Sequence, residues 1–515
     1  MTLTRDSITR IWIQFSTILA ERRWIVWALF GLGLLRGLVG LLAYPPALGA
    51  DAAAYYFYAQ RLAGLEIPGL AEVVPPLYSV LILVSFNWLG SAYPLVALQW
   101  LMSATLAPLY YDAIKRLDPL LALVIALVVL FDYQTALMFN FISTEPLYML
   151  LLAISFNLMM RITRRDEPLR YGLSAMTGAV FLLLLLTRAV ARFLFVPVML
   201  VHLLIIRRWR QTLIMAGGFI LSLSAYNLYS QLMFDQIEGV SSSTYMVTDV
   251  VLRNKGWVNA ENGPATAEFL ELQANCEART KIYICYYEAH ENTTGLVPLL
   301  VNTALETAQT NLVPLINSTW DNLNRFLKLS GQQLGFFDEG TPGVAQCQGA
   351  ESRINGLTFE DTRGRGWNWT WGARAYIENN FDDFRDHLYR MQMMVCPPLP
   401  DVPALREMVN VLNFRYRSLS RPNPMLWYGA AVVLALILPW ARRRYLALAL
   451  TANAYLFNHA LISAVINNVQ PRYVVVTNPF RAILLIMLVF IVVGLLLKVV
   501  DRFWVKKNES DNVLI

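Results

Sequence analysis

The chain has 515 residues, of which 56% are apolar, 12% aromatic and only 15% charged, with a mean hydropathy of +0.44. Soluble domains carry about a quarter of their residues charged, so this composition excludes an ordinary soluble protein and requires one dissolved largely in lipid. The net charge of +6 does not argue for a nucleic-acid partner, because the basic residues lie in clusters between apolar runs, the pattern by which polytopic membrane proteins orient themselves.

A membrane-crossing helix needs about 20 apolar residues. In chain order the runs 24–44, 92–112, 119–138, 145–162, 171–189, 190–206, 212–232, 426–441, 445–466 and 480–500 predict about ten spans. Arg22-Arg23, Lys115-Arg116, Arg164-Arg165, Arg207-Arg208, Arg442-Arg443-Arg444 and Lys506-Lys507 fall in every second connection. That alternation predicts cytoplasmic termini and a multi-pass protein of the cytoplasmic (inner) membrane. Two segments of the first outer loop are too short to span. Asp51 to Leu65, with Tyr55, Tyr56, Phe57 and Tyr58, and residues 76–90 read as interfacial helices, with aromatic rings at headgroup depth.

Residues 235–424 form one outer insert of roughly 190 residues, enough for a domain. Helices are expected at 264–290, 295–330, 372–394 and 402–418, with an irregular Gly-rich stretch from Gly331 to Trp371. The expected organisation is an N-terminal membrane module at 1–234, an extracytoplasmic domain at 235–424, and a C-terminal module with its tail at 425–515. Sequons at Asn292, Asn317 and Asn368 hint at an outward location. All four cysteines, Cys276, Cys285, Cys347 and Cys396, lie in the insert. An even count in one exposed loop fits two disulfides in an oxidising compartment. Three pairings are open, buried free thiols are the alternative, and the spacings do not resemble a paired CxxC zinc site.

Candidate chemistry gathers at the outer ends of the spans. Asp51 follows the first span with no Lys or Arg for nine residues either way, and a carboxylate there could take a proton from an acceptor hydroxyl. It is equally readable as a solvated loop residue. Glu145, in Ser143-Thr144-Glu145-Pro146, opens the fourth span at the same depth. Ser143 or Thr144 is expected to cap that helix and Pro146 to sit in its first turn, so capping alone is the competing reading. Arg188 and Arg192 interrupt two apolar runs on the outer side, where an arginine needs an anion or water. Arg472, in Pro471-Arg472-Tyr473, has the paired donors suited to phosphate; headgroup anchoring is the alternative for Arg472, and more so for Arg481. Tyr55, Tyr56, Tyr78, Tyr473 and His459 are the candidate pocket residues. His459 and Asn458 also read as a packed polar pair within a span, and Arg36 in span one has no assigned role.

An acid after span one, Val74-Pro75-Pro76-Leu77-Tyr78, an acid opening span four and Pro471-Arg472-Tyr473 occur in an order that resembles the GT-C superfamily of integral membrane glycosyltransferases. The nearest type is the aminoarabinose and protein O-mannosyl transferases. Val74 stands where that family carries Lys or His before Pro-Pro-Leu. The resemblance implies a GT-C-like all-α fold and a sugar donor carried on polyprenyl (or dolichyl) phosphate. The acceptor would be a hydroxyl on a glycan, lipid or protein at the outer face. It further implies Asp51 as catalytic base, Glu145 as second acid, and Arg472 with Arg188 or Arg192 on the donor phosphate, which is the leaving group. Many relatives carry a second acid after the first, where this chain has Ala52, so a divalent metal, magnesium or manganese, stays open. Competing readings are an O-antigen-type ligase or polymerase and a lipid or polysaccharide transporter.

Overall fold

The computed structural model describes residues 23–43, 46–49, 52–64, 75–163, 171–188, 190–206, 209–233, 256–275, 286, 289–290, 295–328, 354–356, 380–396, 404, 407–408, 424–465 and 471–511. Among these, the protein is almost wholly helical, and its single sheet is a two-residue parallel bridge.

Helix α1 (Trp24–Ala43) turns its glycines inward and its bulk outward. A Cβ added at Gly33 would lie 2.7 Å from the Ala104 Cα, and one at Gly40 would lie 2.2 Å from the Trp100 ring. Small residues therefore let α1 pack backbone-close on the next long helix, as is common between membrane helices. Its other face exposes Trp24, Trp27, Leu34, Leu35 and Leu38, side chains that belong in lipid. The bridge strand β1 (Ala47–Leu48) and the short helices α2 (Ala52–Leu62) and α3 (Pro76–Ile82) follow. A turn of π-helix, Leu83–Trp88, continues α3. Helix α4 (Tyr93–Ile114) runs antiparallel to α1, because Gly33 meets Ala104 while Gly40 meets Trp100.

Helix α5 (Pro119–Phe131) is shorter than the continuous span expected over 119–138. The chain breaks at Asp132, which is extended and whose carboxylate caps the five-residue helix α6 (Tyr133–Leu137) by accepting from Thr135 N. The carbonyls of Val129 and Leu130 accept instead from the Arg36 guanidinium, which also reaches the Ser103 hydroxyl. Arg36 thus holds the end of α5 together. Asn478 donates to the same Asp132 carboxylate at 3.0 Å.

Strand β2 (Phe141–Ile142) leads into α7 (Glu145–Ile162). Helices α8 (Tyr171–Thr187), α9 (Ala191–Ile206) and α10 (Trp209–Met233) follow, and α8 and α10 meet through Gly178 and Gly218. In the insert, α11 (Pro264–Ala274) is shorter than expected. The expected helix at 295–330 is two, α12 (Leu296–Thr310) and α13 (Leu312–Lys328), divided at Asn311. Helix α14 (Phe381–Val395) packs on α2 through Phe57 stacked on Phe384. Most of 331–371 and 402–418 lies outside the described residues. The C-terminal module holds α15 (Pro424–Ile437), α16 (Pro439–Val465), α17 (Pro471–Val475) and α18 (Asn478–Asp511).

Among the described residues four helices, Trp24–Ala43, Glu145–Ile162, Pro439–Val465 and Asn478–Val500, are long and apolar enough to cross a membrane. Helices also cover most of the described residues of the other expected spans. The chain is therefore a helical, membrane-embedded protein. Its bundle has two polar ends. At one, Asp112 pairs with Lys115 and Arg161, and Asp118 accepts from Tyr445 and pairs with Arg444. At the other lie the starts of α3, α7 and α17 and the end of α16. Tyr148 meets His459 while Ser155 meets Tyr455, so α7 and α16 run antiparallel.

The insert contains a second, small core of Phe269, Leu272, Leu296, Leu299 and Leu300. Glu306 ties it together by capping α11 from α12, accepting from Thr266 N at 2.8 Å, Thr266 Oγ1 at 2.7 Å and Ala265 N at 3.2 Å. Burial pushes the Glu306 carboxyl up, but these hydrogen bonds outweigh it and hold the group below its ordinary value of 4.5. A carboxyl depressed on folding stabilises above its unfolded pKa and loses that contribution as pH falls through its folded one. Hydrogen exchange of residues 264–274, corrected for intrinsic rates, is expected to rise as pH drops below about 4.5. In Glu306→Gln it should already be raised at pH 7 and change little with acid.

Candidate active site

The site is built from the bridge outward. Ala47 pairs with Phe141 and Leu48 with Ile142; Gly49 N then donates to the Ile142 carbonyl at 3.2 Å, and Ala52 N to the Gly49 carbonyl at 3.0 Å. A side chain at Gly49 would strike the Ile142 carbonyl, 2.9 Å from its Cβ. The close approach therefore needs glycine. Asp51 itself lies outside the described residues, but Ala47 to Gly49 before it are fastened to the strand that leads into Glu145, and Ala52 after it is bonded to Gly49.

The segment 138–142 is fixed from behind. Gln99 donates its amide to the carbonyls of Phe139 and Phe141 at 2.8 and 2.9 Å and accepts from the Tyr78 hydroxyl at 2.7 Å. Trp100 Nε1 donates to Asn140 at 2.7 Å. Tyr78 is one of the candidate pocket residues; Gln99 and Trp100 escaped the sequence reading. The available signal was an amide inside an apolar span, since polar groups there face protein rather than lipid.

Glu145 stands in the first turn of α7, where a carboxylate is favoured by the helix dipole. Neither expected cap operates. Thr144 is at the N-cap without a side-chain hydrogen bond, and the buried Ser143 hydroxyl has no partner among the described residues. Glu145 Oε1 lies 2.9 Å from Arg188 Nη1, with side-chain exposures of 2% and 13%. The guanidinium sits between two rings, 5.6 Å from Tyr148 and 4.8 Å from Tyr473, an arrangement that adds cation–π attraction. Tyr473 thus brings the Pro-Arg-Tyr segment to the Glu145 pair.

Below this, the Tyr148 hydroxyl lies 2.9 Å from His459 Nε2, and His459 Nδ1 lies 2.8 Å from the Tyr455 carbonyl. A carbonyl only accepts, so Nδ1 carries the proton. In the neutral ring Nε2 then accepts from the tyrosine. Tyr55 packs edge-on against Tyr78 at 5.5 Å. Tyr56 points elsewhere, towards Phe86 and His387, and is not part of this cluster.

Arg192 and Arg472 belong to α9 and α17, but their side chains are outside the described residues, as are Cys276, Cys285 and Cys347. Cys396 is disulfide-bonded. Arg481 is structural. It is buried, donates to the Phe326 carbonyl at 2.9 Å and to Thr477 Oγ1 at 3.1 Å, and ties α18 to the insert. Among the described residues no three His, Cys, Asp or Glu side chains form a metal-ligating group. Among the described residues the arrangement offers a carboxylate with its counter-charge and a buried hydroxyl without a hydrogen-bond partner. A scan against protein-family models and a search of curated proteins each find no match to this chain.

A buried hydroxyl without a partner costs about 1–3 kcal/mol. Ser143→Ala is therefore expected to leave the thermal midpoint unchanged or raised. If the hydroxyl meets substrate, KM rises several-fold while kcat changes less, which steady-state kinetics would separate.

Proposed function

We propose that this chain is a glycosyltransferase that moves a sugar from a polyprenyl-phosphate donor to an acceptor hydroxyl on the extracytoplasmic side of the cytoplasmic membrane. The chain crosses that membrane about ten times, with both termini inside. Asp51 removes the acceptor proton, and the acceptor oxygen attacks the anomeric carbon opposite the phosphate. The carbon–oxygen bond to phosphate breaks with inversion, and the departing polyprenyl phosphate keeps the electron pair. Arg192 and Arg472, with Arg188, meet its charge; stabilising charge that develops on a leaving group is commonly the largest catalytic term. Glu145 orients Arg188 between its two tyrosines. Magnesium or manganese is compatible with the two carboxylates, but no step depends on it.

The observation that carries the reading is the Glu145–Arg188 pair beside Tyr473, together with the bridge that fastens the segment leading into Asp51 to the strand leading into Glu145. The basic clusters agree with the proposed orientation, because the Asp112 and Arg444 networks occupy the opposite end of the bundle. The test is transfer by the protein in lipid nanodiscs supplied with a panel of sugars on polyprenyl monophosphate and on polyprenyl diphosphate. Release of polyprenyl phosphate with formation of a glycoside supports the proposal. Turnover with diphosphate-linked glycans alone, or substrate movement without a covalent product, overturns it.

A further inference from the structure

Helix α13 carries seven large apolar residues on one face: Leu312, Val313, Ile316, Trp320, Leu323, Phe326 and Leu327. Their spacing of one, three and four residues places them along a single stripe. Asn317, Asp321, Arg325 and Lys328 lie on the opposite side and are exposed. The stripe is covered along only half its length. Leu323, Phe326 and Leu327 are 7%, 0% and 7% exposed, whereas Leu312, Val313, Ile316 and Trp320 are 55%, 66%, 57% and 54% exposed.

The covered half is seated at the mouth of the bundle. Asn322 donates to the Ala464 carbonyl in the last turn of α16, and Arg481 in the first turn of α18 donates to the Phe326 carbonyl. Both anchors are at the ends of helices apolar enough to cross the bilayer. A straight helix keeps its face, so the exposed half points the same way as the seated half. It extends about 12 Å from Leu312 to Trp320 at about 1.5 Å per residue. The neighbouring helices expose Leu426, Trp427, Phe457 and Leu461 near the same end, which continues the apolar belt. Four large apolar side chains in one run are uncommon on a surface facing water.

We infer that α13 is a membrane-seating helix. Its N-terminal half overhangs the bundle and lies in the bilayer interface, with Leu312, Val313, Ile316 and Trp320 among the acyl chains and the polar face towards water. The occupant of the stripe is lipid. This sets the depth of the candidate site: His459 lies five residues before Ala464 on α16, roughly 7 Å deeper along the helix axis. The inference rests on the membrane-embedded fold and stands whether or not sugar transfer is observed.

The test places a benzophenone side chain at Ile316 or at Asp321 of the full-length protein in nanodiscs of phosphatidylethanolamine and phosphatidylglycerol. Both positions are exposed, so neither substitution disturbs packing; unchanged thermal midpoints would check this. After irradiation, intact mass is expected to show at least five-fold more lipid adduct at 316 than at 321. Equal yields, absence of adduct at 316, or crosslinking of 316 to a second protein copy would overturn the inference. Ile316→Asp gives an independent readout. Exchange over residues 312–320 should rise at least several-fold in nanodiscs if lipid covers the stripe, and an unchanged rate counts against it.

Discussion

Arg188→Ala is expected to destabilise the protein by about 3–5 kcal/mol, the cost typical of removing one partner from a buried ion pair. The Glu145 side chain is 2% exposed and has Arg188 at 2.9 Å, so the truncation takes a charged partner from a buried carboxylate. Adding Glu145→Gln to the same chain removes that charge and should restore most of the loss, a coupling that a double-mutant cycle measures directly. Transfer should not return with stability, because the guanidinium that would meet the donor phosphate is still missing. Thermal midpoints and transfer rates of the four proteins in nanodiscs therefore separate folding from function. If Arg188→Ala melts like the parent, the pair is open to water and the site is differently arranged.

Asp51→Asn should lower kcat by about 10²- to 10⁴-fold, the usual contribution of a positioned general base. The amide keeps the size of the side chain and gives up only its proton affinity. Because Gly49 and Ala52 make the backbone bonds of this turn, the fold and the thermal midpoint should be unaffected. Donor binding should also persist, since it is assigned to the arginines. Full turnover by a folded Asp51→Asn protein would refute the role given to Asp51 and leave the arginine assignments standing.

Several members of the candidate site were legible because membrane sequences make polar residues conspicuous. Glu145 at the head of an apolar run and Arg188 between two runs each announce themselves, and their proximity follows from both being at the same end of neighbouring helices. Tyr55 and Tyr56 could not be told apart. Adjacent residues on a helix point about 100° apart, and nothing in Tyr-Tyr-Phe-Tyr says which of them meets Tyr78. Gln99 was visible as an amide within a span, but its partners are 40 and 42 residues away and belong to a segment with no regular pattern. The break at Asp132 was missed for a related reason. Capping by Asp132 is local, but the carbonyls it frees are satisfied by Arg36, 93 and 94 residues earlier. A helix end becomes affordable inside a bundle only when such a donor arrives from elsewhere.

The sequence alone determined the helical, membrane-embedded class and the positions of the main apolar helices. Hydropathy and charge act residue by residue against lipid and water, and a linear pattern records them. Tertiary structure decided which polar groups meet. It paired Glu145 with Arg188, set Tyr473 against that pair, gave Arg36 and Arg481 to the framework, and left half of the α13 stripe uncovered. Those outcomes depend on helix rotation and on contacts between segments far apart in the chain, and periodicity in one segment carries no information about the azimuth of another.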